Sequence, residues 1–331
     1  MKKRAQRNKK RIRWASVLTV FVLLIGIIAI AFAGVHLLSP KTNTSPKSSQ
    51  TSSQEKAKRT ASSSASQPKE TKWLAGTNEN QLPILMFHYV TSRADQLPQD
   101  SNNINIVTFE NELKALKEKG YTTVSGSDAE KILTTKEKPS DKMVWLTFDD
   151  GSVTMYTEIF PLLKKYNMHA TNFIITGYVN KGQGGILTWE QIKEMKASGL
   201  VDFGSHTVSH PDLGKLTLEA QRTELEQSKA DLDKNLEQKT DIICYPAGGY
   251  NQNTLNLANE LGYKFGLLDP GRNGAIAIAA KESDGLLTLP RFRMMSSTTT
   301  EQMLQMIQPS TDYNEKINKL RIIGVLSLVL Q

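Results

Sequence analysis

The stretch "MVWLTFDDGS", Met143 to Ser152, is a short apolar run that ends in two adjacent carboxylates. The run predicts a buried strand, because it is short, rich in apolar residues and followed by an Asp-Gly turn dipeptide. Asp149 and Asp150 are like-charged neighbours, so each disfavours the ionised form of the other. The pair either marks an ordinary turn or belongs to a cation site, and the rest of the chain has to decide between these interpretations.

Strand-like and helix-like segments alternate about seven times along the chain, which predicts an α/β fold with a parallel sheet. Seven or eight such units in about 230 residues favour a barrel over a doubly wound sheet, although the pattern alone does not separate the two. Besides Met143–Phe148, the predicted strands lie in the stretches Ile84–His88, "TNFII", "LVDFG", "IICYP", "YKFGLL" and "LTLPRF".

Capping residues locate the predicted helix starts, since Ser and Thr side chains bind the free backbone N–H groups of a first turn. The predicted caps are, in chain order, Thr108, a box of Ser127 with Glu130, and a box of Thr188 with Gln191. The longest predicted helix runs from Thr217 to about Glu237.

The N-terminal segment has the pattern of a membrane anchor. Residues 1–13 hold eight Lys and Arg residues and no acidic residue, and residues 14–38 form an apolar run without Asp, Glu, Lys or Arg. About 20 apolar residues span a bilayer as a helix, and a basic flank stays in the cytoplasm. We therefore expect a single-pass cell-membrane protein with an extracellular domain. The alternative is secretion after signal-peptide cleavage near Ala33, in the small-residue sequence Ala31-Phe32-Ala33.

The remainder of the chain divides into a linker and a folded domain. Residues 39–80 are rich in Ser, Thr and Lys and predict a disordered tether, and residues 81–331 form the predicted folded domain. The net charge of +8 is an end effect, because the chain beyond residue 13 has 33 basic and 33 acidic residues. We therefore expect no nucleic-acid partner. The single cysteine, Cys244, excludes an internal disulfide.

Polar residues follow several predicted strands directly. Asp149 and Asp150 follow "MVWLTF", His206 and His210 follow "LVDFG", and His88 ends "PILMF". The turn Pro246-Ala247-Gly248-Gly249 follows "IICY". The carboxyl ends of parallel strands share one face of the sheet, and active sites of α/β proteins lie there. These groups are therefore expected to converge.

The spacing of His206 and His210 allows both rings to bind one ion from a short helical turn. Such a pair alone is more often structural, but the acidic pair in the same chain strengthens the interpretation as a site. Two imidazoles and one carboxylate are a common ligand set for a catalytic zinc ion, and cobalt and nickel fit the same set. One carboxylate would bind the ion, and the other would accept a proton from metal-bound water.

The remaining groups supply the other parts of a hydrolysis. A backbone N–H of the "PAGG" turn could stabilise a tetrahedral oxyanion. His88 is the available acid for a departing amine, and the competing interpretation is a histidine buried at a strand end for structural reasons.

These motifs resemble the polysaccharide deacetylase family, carbohydrate esterase family 4, also called the NodB homology domain. "TFDDGS" resembles its first motif, which implies that Asp149 is the base and that Asp150 binds the metal. "SHTVSH" resembles its metal motif and implies that His206 and His210 are ligands. "YPAGGYN" is similar to its third motif, which implies an oxyanion or substrate-binding role for Pro246, Ala247, Gly248 and Tyr250. The family fold is a distorted (β/α) barrel.

The chain departs from the usual family pattern in three places, and the first is Ala247, which replaces the aromatic residue that usually follows the proline of the third motif. The arginine of the third motif is absent, and Arg291 in "LPRF" is the candidate that orients the base instead. No histidine follows His210, whereas "LMFHYV" stands at the start of the domain. This order resembles the circularly permuted branch that contains the poly-N-acetylglucosamine deacetylases, which implies that His88 is the acid.

The resemblance implies a metal-dependent N-deacetylase acting on an N-acetylglucosamine polysaccharide. The alternatives on the same scaffold are a peptidoglycan deacetylase and an O-acetyl glycan esterase. A non-catalytic glycan-binding module is the alternative from another class. The sequence identifies neither protein partners nor the oligomeric state.

Overall fold

The computed structural model describes residues 72–76, 80–92 and 102–309. The predicted basic segment and membrane anchor lie outside the described residues. Within those described ranges, no helix is both long and apolar enough to cross a membrane.

Eight strands form one parallel sheet, as the sequence predicts. Seven of them follow the order β11-β10-β9-β8-β7-β2-β12, and β5 pairs with the first part of β7. These strands are β2 (Ile84–Phe87), β5 (Thr122–Thr123), β7 (Met143–Phe148), β8 (Ala170–Ile174), β9 (Val201–Ser205), β10 (Ile242–Cys244), β11 (Phe265–Leu267) and β12 (Phe292–Arg293). Two further pairs lie outside this sheet: β1 (Leu74–Ala75) with β6 (Glu137–Lys138), and β3 (Tyr89–Thr91) with β4 (Asn103–Asn105).

Helices lie between most successive strands of the sheet, and the last helix follows β12. They are α1 (Ile106–Glu118), α2 (Gly126–Thr135), α3 (Phe160–Tyr166), α4 (Thr176–Asn180), α5 (Trp189–Ala197), α6 (Leu218–Leu236), α7 (Gln252–Glu260) and α8 (Thr300–Met306). A π-helical turn, Met155–Ile159, leads into α3. The predicted bounds of α6 are confirmed, with Thr217 as its N-cap and a left-handed Glu237 as its C-cap.

The two edges of the curled sheet are joined by the segment 289–294. At its start, the N–H of Leu289 donates to the carbonyl of Gly266 in β11 (2.8 Å). At its end, Phe292 and Arg293 pair in parallel with β2, and the N–H of Met294 donates to the carbonyl of Met86 (2.9 Å). The predicted α/β fold with a parallel sheet is therefore confirmed, and this segment runs between both edges of the sheet.

The core lies against the sheet, and β7 is buried at all six positions. Trp145 is fully buried and still satisfies its indole N–H, which donates to Oγ1 of Thr171 (2.8 Å). Burial of an aromatic side chain of this size stabilises the fold by roughly 2–3 kcal/mol. A Trp145→Ala change would lose this burial and leave a cavity.

Three local predictions differ from the structure. Helix α1 is capped by Asn105 and not by Thr108, and the capping box of α2 is formed by Ser125 with Asp128 and not by Ser127 with Glu130. The box of Thr188 with Gln191 is confirmed. Strand β1 lies within the range predicted as linker. In the same range, the ammonium of Lys131 lies over the ring of Trp73, 4.0 Å from the ring centroid.

Candidate active site

Polar residues that are distant in sequence meet near the carboxyl ends of β7, β9 and β10 and at the start of β12. Asp149 and Asp150 follow β7, and His206 follows β9. Cys244 is the last residue of β10, and Arg291 immediately precedes β12. Strand pairing fixes these positions relative to one another, so the site rests on the sheet rather than on loops alone.

Asp150, His206 and His210 form one cluster. Oδ1 of Asp150 lies 3.4 Å from Nε2 of His206 and 3.5 Å from Nε2 of His210. One ligand atom from each residue lies within 4.8 Å of the other two. The structure therefore gathers the three residues that the sequence predicts as metal ligands.

The histidines reach this cluster from a loop and not from the predicted helical turn. Thr207 and His210 have left-handed backbones, with φ of 65° and 61°. Asp150 is left-handed too, with φ of 75°. These conformations turn the chain sharply after each strand, and they aim three side chains at one point in a way that a regular turn would not.

Hydrogen bonds to neighbouring residues fix the orientation of the cluster. Nδ1 of His206 lies 2.8 Å from the carbonyl oxygen of Cys244, so Nδ1 carries a hydrogen, and in the neutral ring Nε2 would present its lone pair to the cluster. The hydroxyl of Tyr89 donates to Oδ2 of Asp150, which leaves Oδ1 facing the two histidines.

The electrostatics of the cluster favour a positive charge. Burial alone would raise the pKa of Asp150, but the hydrogen bond and charge of His206 outweigh burial and lower this pKa to about 2. Burial would lower the pKa of His206, but Cys244 and Asp150 outweigh it and raise this pKa well above its usual value. Both shifts mean that positive charge between these side chains is stabilised.

This donor set fits a divalent cation. One carboxylate oxygen and two imidazole nitrogens are ligands that Zn²⁺ accepts, and three protein ligands leave a coordination position open. A second group, Asp149, His206 and Cys244, also has ligand atoms within 4.8 Å of one another. Arg291 binds both carboxylate oxygens of Asp149, so the cluster around Asp150 is the better cation site.

Asp149 and Arg291 form a buried ion pair beside this cluster. Nη1 and Nη2 of Arg291 donate to the two carboxylate oxygens of Asp149 at 2.9 and 2.8 Å. Arg291 is fully buried, and its Nε donates to the carbonyl of Leu268 (2.8 Å). Burial would raise the pKa of Asp149, but the guanidinium outweighs it and holds the pKa well below its usual range. Asp149 is therefore ionised throughout the neutral range.

The turn after β10 exposes one backbone donor. The N–H groups of Gly248 and Gly249 close the turn onto the carbonyls of Tyr245 and Pro246, at 3.0 and 2.9 Å. The N–H of Ala247 has no part in this closure. Ala247 itself has a left-handed backbone, with φ of 50°.

Tyr250 lies just beyond this turn. Its ring is half-buried and stacks on the ring of Tyr245, with the ring centroids 5.4 Å apart. This contact links Tyr250 to the strand end from which the turn departs.

His88 lies between β2 and β3, and the charges of Asp149 and Asp150 influence its pKa. Burial lowers the pKa of His88, and the two carboxylates oppose that shift. Its Nδ1 is buried and has no hydrogen-bond partner among the described residues. Such an atom is unlike a structural histidine, whose buried nitrogens are normally paired.

Sequence reasoning did not single out Tyr89, Thr147 and Cys244 as site residues. Tyr89 binds Asp150, Oγ1 of Thr147 accepts from Nη1 of Arg291 (3.1 Å), and Sγ of Cys244 lies 3.0 Å from Nη2 of Arg291. The available signal was that each lies within two residues of His88, Asp149 or Pro246, which the sequence did single out.

This geometry is that of a hydrolase whose catalytic site lies at the strand ends of a parallel α/β sheet. Comparisons with known proteins give the family. The family model described as polysaccharide deacetylase matches residues 136–266. YxkH of Bacillus subtilis (strain 168), a protein assigned to the polysaccharide deacetylases, is 38% identical over 223 residues, covering 67% of this chain and 74% of that protein. The chain therefore belongs to the polysaccharide deacetylase family.

Two further relatives are informative. A poly-β-1,6-N-acetyl-D-glucosamine N-deacetylase of Staphylococcus aureus (strain MSSA476) is 33% identical over 177 residues, which cover 48% of this chain and 58% of that enzyme. The solved structure of the Streptococcus pyogenes deacetylase PplD in complex with acetate is similar with a TM-score of 0.65 and 37% identity. That similarity covers 70% of this chain and 100% of the streptococcal chain.

Proposed function

We propose that this family member is an extracellular, membrane-anchored N-deacetylase that uses a divalent metal to remove acetyl groups from an N-acetylglucosamine polysaccharide. The observation that carries the proposal is the ion pair of Asp149 with Arg291 beside the cluster of Asp150, His206 and His210. It supplies a permanently ionised carboxylate next to a site suited to a cation.

Asp150, His206 and His210 would hold the metal, with zinc as the first choice and cobalt or nickel as alternatives. When bound, the cation supplies Lewis acidity that lowers the pKa of water and polarises the acetyl carbonyl. The hydrogen bonds from Tyr89 and to the carbonyl of Cys244 keep the three side chains in position before the ion arrives.

Asp149 serves as the general base in this proposal. Arg291 binds both of its oxygens in the plane of the carboxylate, so the group cannot rotate away from the reacting water. The same contact favours the ionised form of Asp149, so the carboxylate is free to accept a proton when the water reacts. A positioned base of this kind contributes about 10²- to 10⁴-fold to a rate.

The turn and His88 complete the reaction. The N–H of Ala247 would stabilise the oxyanion that forms when water attacks the acetyl carbon. His88 would transfer a proton to the nitrogen of the sugar as the carbon–nitrogen bond breaks, and acetate and a free amine would result. Pro246, Gly248 and Tyr250 would shape the wall that carries this donor.

The polymer is assigned by similarity to the staphylococcal enzymes, whose name gives poly-β-1,6-N-acetyl-D-glucosamine as substrate. Peptidoglycan and O-acetylated glycans would require the same residues. A glycan-binding module without activity is disfavoured, because Asp149 and the three proposed ligands are all in place.

The decisive experiment compares acetate release from poly-N-acetylglucosamine, peptidoglycan and an O-acetylated glycan. Each reaction is run with the purified enzyme, with enzyme stripped by a chelator, and with stripped enzyme to which zinc is returned. We expect release from poly-N-acetylglucosamine that the chelator abolishes and zinc restores. Release from peptidoglycan alone would replace the substrate, and metal binding without any release would favour the binding module.

A further inference from the structure

The loop between the two histidines, residues 207–209, is held from outside by one carboxylate of helix α6. The backbone N–H groups of Val208 and Ser209 both donate to Oε2 of Glu224, at 2.8 and 2.9 Å. The hydroxyl of Ser209 donates to Oε1 of the same side chain. All three donors belong to the segment that separates His206 from His210.

The opposite side of this loop is held by the first residues of α4. The N–H groups of Thr176 and Gly177 donate to the carbonyls of Thr207 and Val208, at 3.1 and 2.9 Å. The approach is so close that a Cβ atom on Gly177 would lie 2.5 Å from the carbonyl oxygen of Val208. The loop is therefore fixed between α4 and Glu224.

The loop needs such support because its backbone is strained. Thr207 is β-branched and has a φ of 65°, and His210 has a φ of 61°. Left-handed conformations at residues other than glycine cost about 1–3 kcal/mol each and persist only where the surroundings enforce them. Without its outer contacts, the loop would relax and separate the two imidazoles.

We propose that Glu224 is a positioning residue for the metal site: it holds residues 208 and 209 so that His206 and His210 present their Nε2 atoms to one ion. The inference rests on the proposed function, because it assumes that these histidines bind a metal. Glu224 contacts neither the ion nor the substrate in this proposal. Groups that orient metal ligands change affinity by about 10- to 100-fold when they are removed.

Zinc affinity of the full-length chain tests the proposal. The chain is stripped of metal, and zinc binding is measured by competition with a chromophoric chelator. We expect Glu224→Ala to weaken binding by about tenfold or more. The matched control is Glu226→Ala, because Glu226 is exposed on the same helix and the change should leave affinity as in the parent chain.

Two conservative variants separate geometry from charge. The amide of Glu224→Gln can accept from both backbone N–H groups with its oxygen and donate to the Ser209 hydroxyl with its nitrogen, so we expect affinity within about threefold of the parent chain. Glu224→Asp keeps the charge but is one methylene shorter and should bind weakly. If the Glu224→Ala variant does not fold, the Glu224→Asp variant tests the positioning role of Glu224 in its place.

The absorption spectrum of the cobalt-loaded chain provides a second readout, since it reports ligand geometry. It should change in the Ala and Asp variants and remain unchanged in the Gln variant. Parent-like affinity and spectrum in the Ala or Asp variant would overturn the role of Glu224. A parent chain that binds no zinc, cobalt or nickel would instead overturn the proposed metal site, so the two failures are distinguishable.

Discussion

At the residue scale, the adjacent carboxylates of residues 149 and 150 have different partners. Asp149 is paired with a buried guanidinium, and Asp150 faces two imidazoles and a phenol. Each carboxylate therefore has its own compensating neighbours, which resolves the like-charge conflict that the sequence raises. The left-handed backbone of Asp150 directs the two side chains into these separate environments.

Replacement of Asp149 by Asn tests its role as base. The amide can still accept a hydrogen bond from Arg291, but it cannot accept a proton from water. We expect acetate release to fall by about 10²- to 10⁴-fold while zinc binding persists. Activity within threefold of the parent enzyme, measured as acetate release by the zinc-loaded protein, would remove Asp149 as base.

Replacement of Arg291 tests the ion pair itself. Arg291→Met leaves Asp149 buried without its partner, which costs about 3–5 kcal/mol of stability. The double variant Asp149→Asn with Arg291→Met contains no buried charge at the pair, so it should be more stable than Arg291→Met alone. Urea unfolding of the metal-free proteins measures the free energy of unfolding of the single and the double variant. A double variant less stable than the single one would contradict the proposed energetic coupling.

The sequence predicted the chemically distinctive residues and nominated Arg291 through the family resemblance, but it missed Tyr89 and Glu224. The DD pair and the spaced histidines are recognisable in one stretch each. Arg291 and Asp149 are 142 positions apart in the sequence, and no residue near Asp149 indicates that they are in contact. Tyr89 and Glu224 have ordinary sequence surroundings, so only the folded chain reveals which backbone and carboxylate atoms they bind.

At the scale of single elements, helix α2 shows why the predicted start of a helix can be wrong by two residues. Both Ser125 and Ser127 precede an acidic residue by three positions, so local chemistry allows either start. The carboxylate of Asp202, in strand β9, accepts from the N–H of Gly126 (2.8 Å) and adds a partner to the earlier start. Tertiary contact therefore selects the box of Ser125 with Asp128.

Helix α1 carries a buried acid that makes stability depend on pH. Glu112 is almost fully buried, and neither of its carboxylate oxygens has a hydrogen-bond partner among the described residues. Burial raises the pKa of Glu112 from 4.5 to about 8. In the unfolded chain this acid ionises near pH 4.5, whereas the folded protein retains the proton up to about pH 8.

The sign of the effect follows from proton binding. Between these two pKa values the folded state binds more protons than the unfolded state, so stability falls as pH rises, by up to about 1.4 kcal/mol per pH unit. Glu112→Leu should therefore raise the free energy of unfolding more at pH 8 than at pH 5. Urea unfolding of both proteins at the two pH values measures the difference, and an equal gain at both would show that Glu112 is not protonated in the folded state.

At the scale of the whole molecule, the site depends on how the edges of the sheet meet. The segment 289–294 pairs with β2 at one end and binds Gly266 of β11 at the other. Arg291 lies between these attachments, so the segment that joins the edges also delivers the guanidinium to Asp149. Alternation of strands and helices predicts the parallel sheet, but it contains no information on which late segment joins its edges. For this reason the sequence could nominate Arg291 as a site residue but could not predict which strands its segment joins.

The predicted anchor, residues 14–38, would determine where the proposed enzyme reaches its polymer. Its apolar length favours a retained helix, and the Ala31-Phe32-Ala33 sequence offers the alternative of cleavage. We expect the intact chain in the membrane fraction, with its catalytic domain accessible to protease added outside the cell. Ala33→Phe is the matched variant, because a bulky residue blocks signal cleavage without shortening the apolar run. If the parent protein appears in the medium with an N-terminus near residue 34 and Ala33→Phe returns it to the membrane, the anchor is cleaved, since only cleavage makes location depend on that side chain.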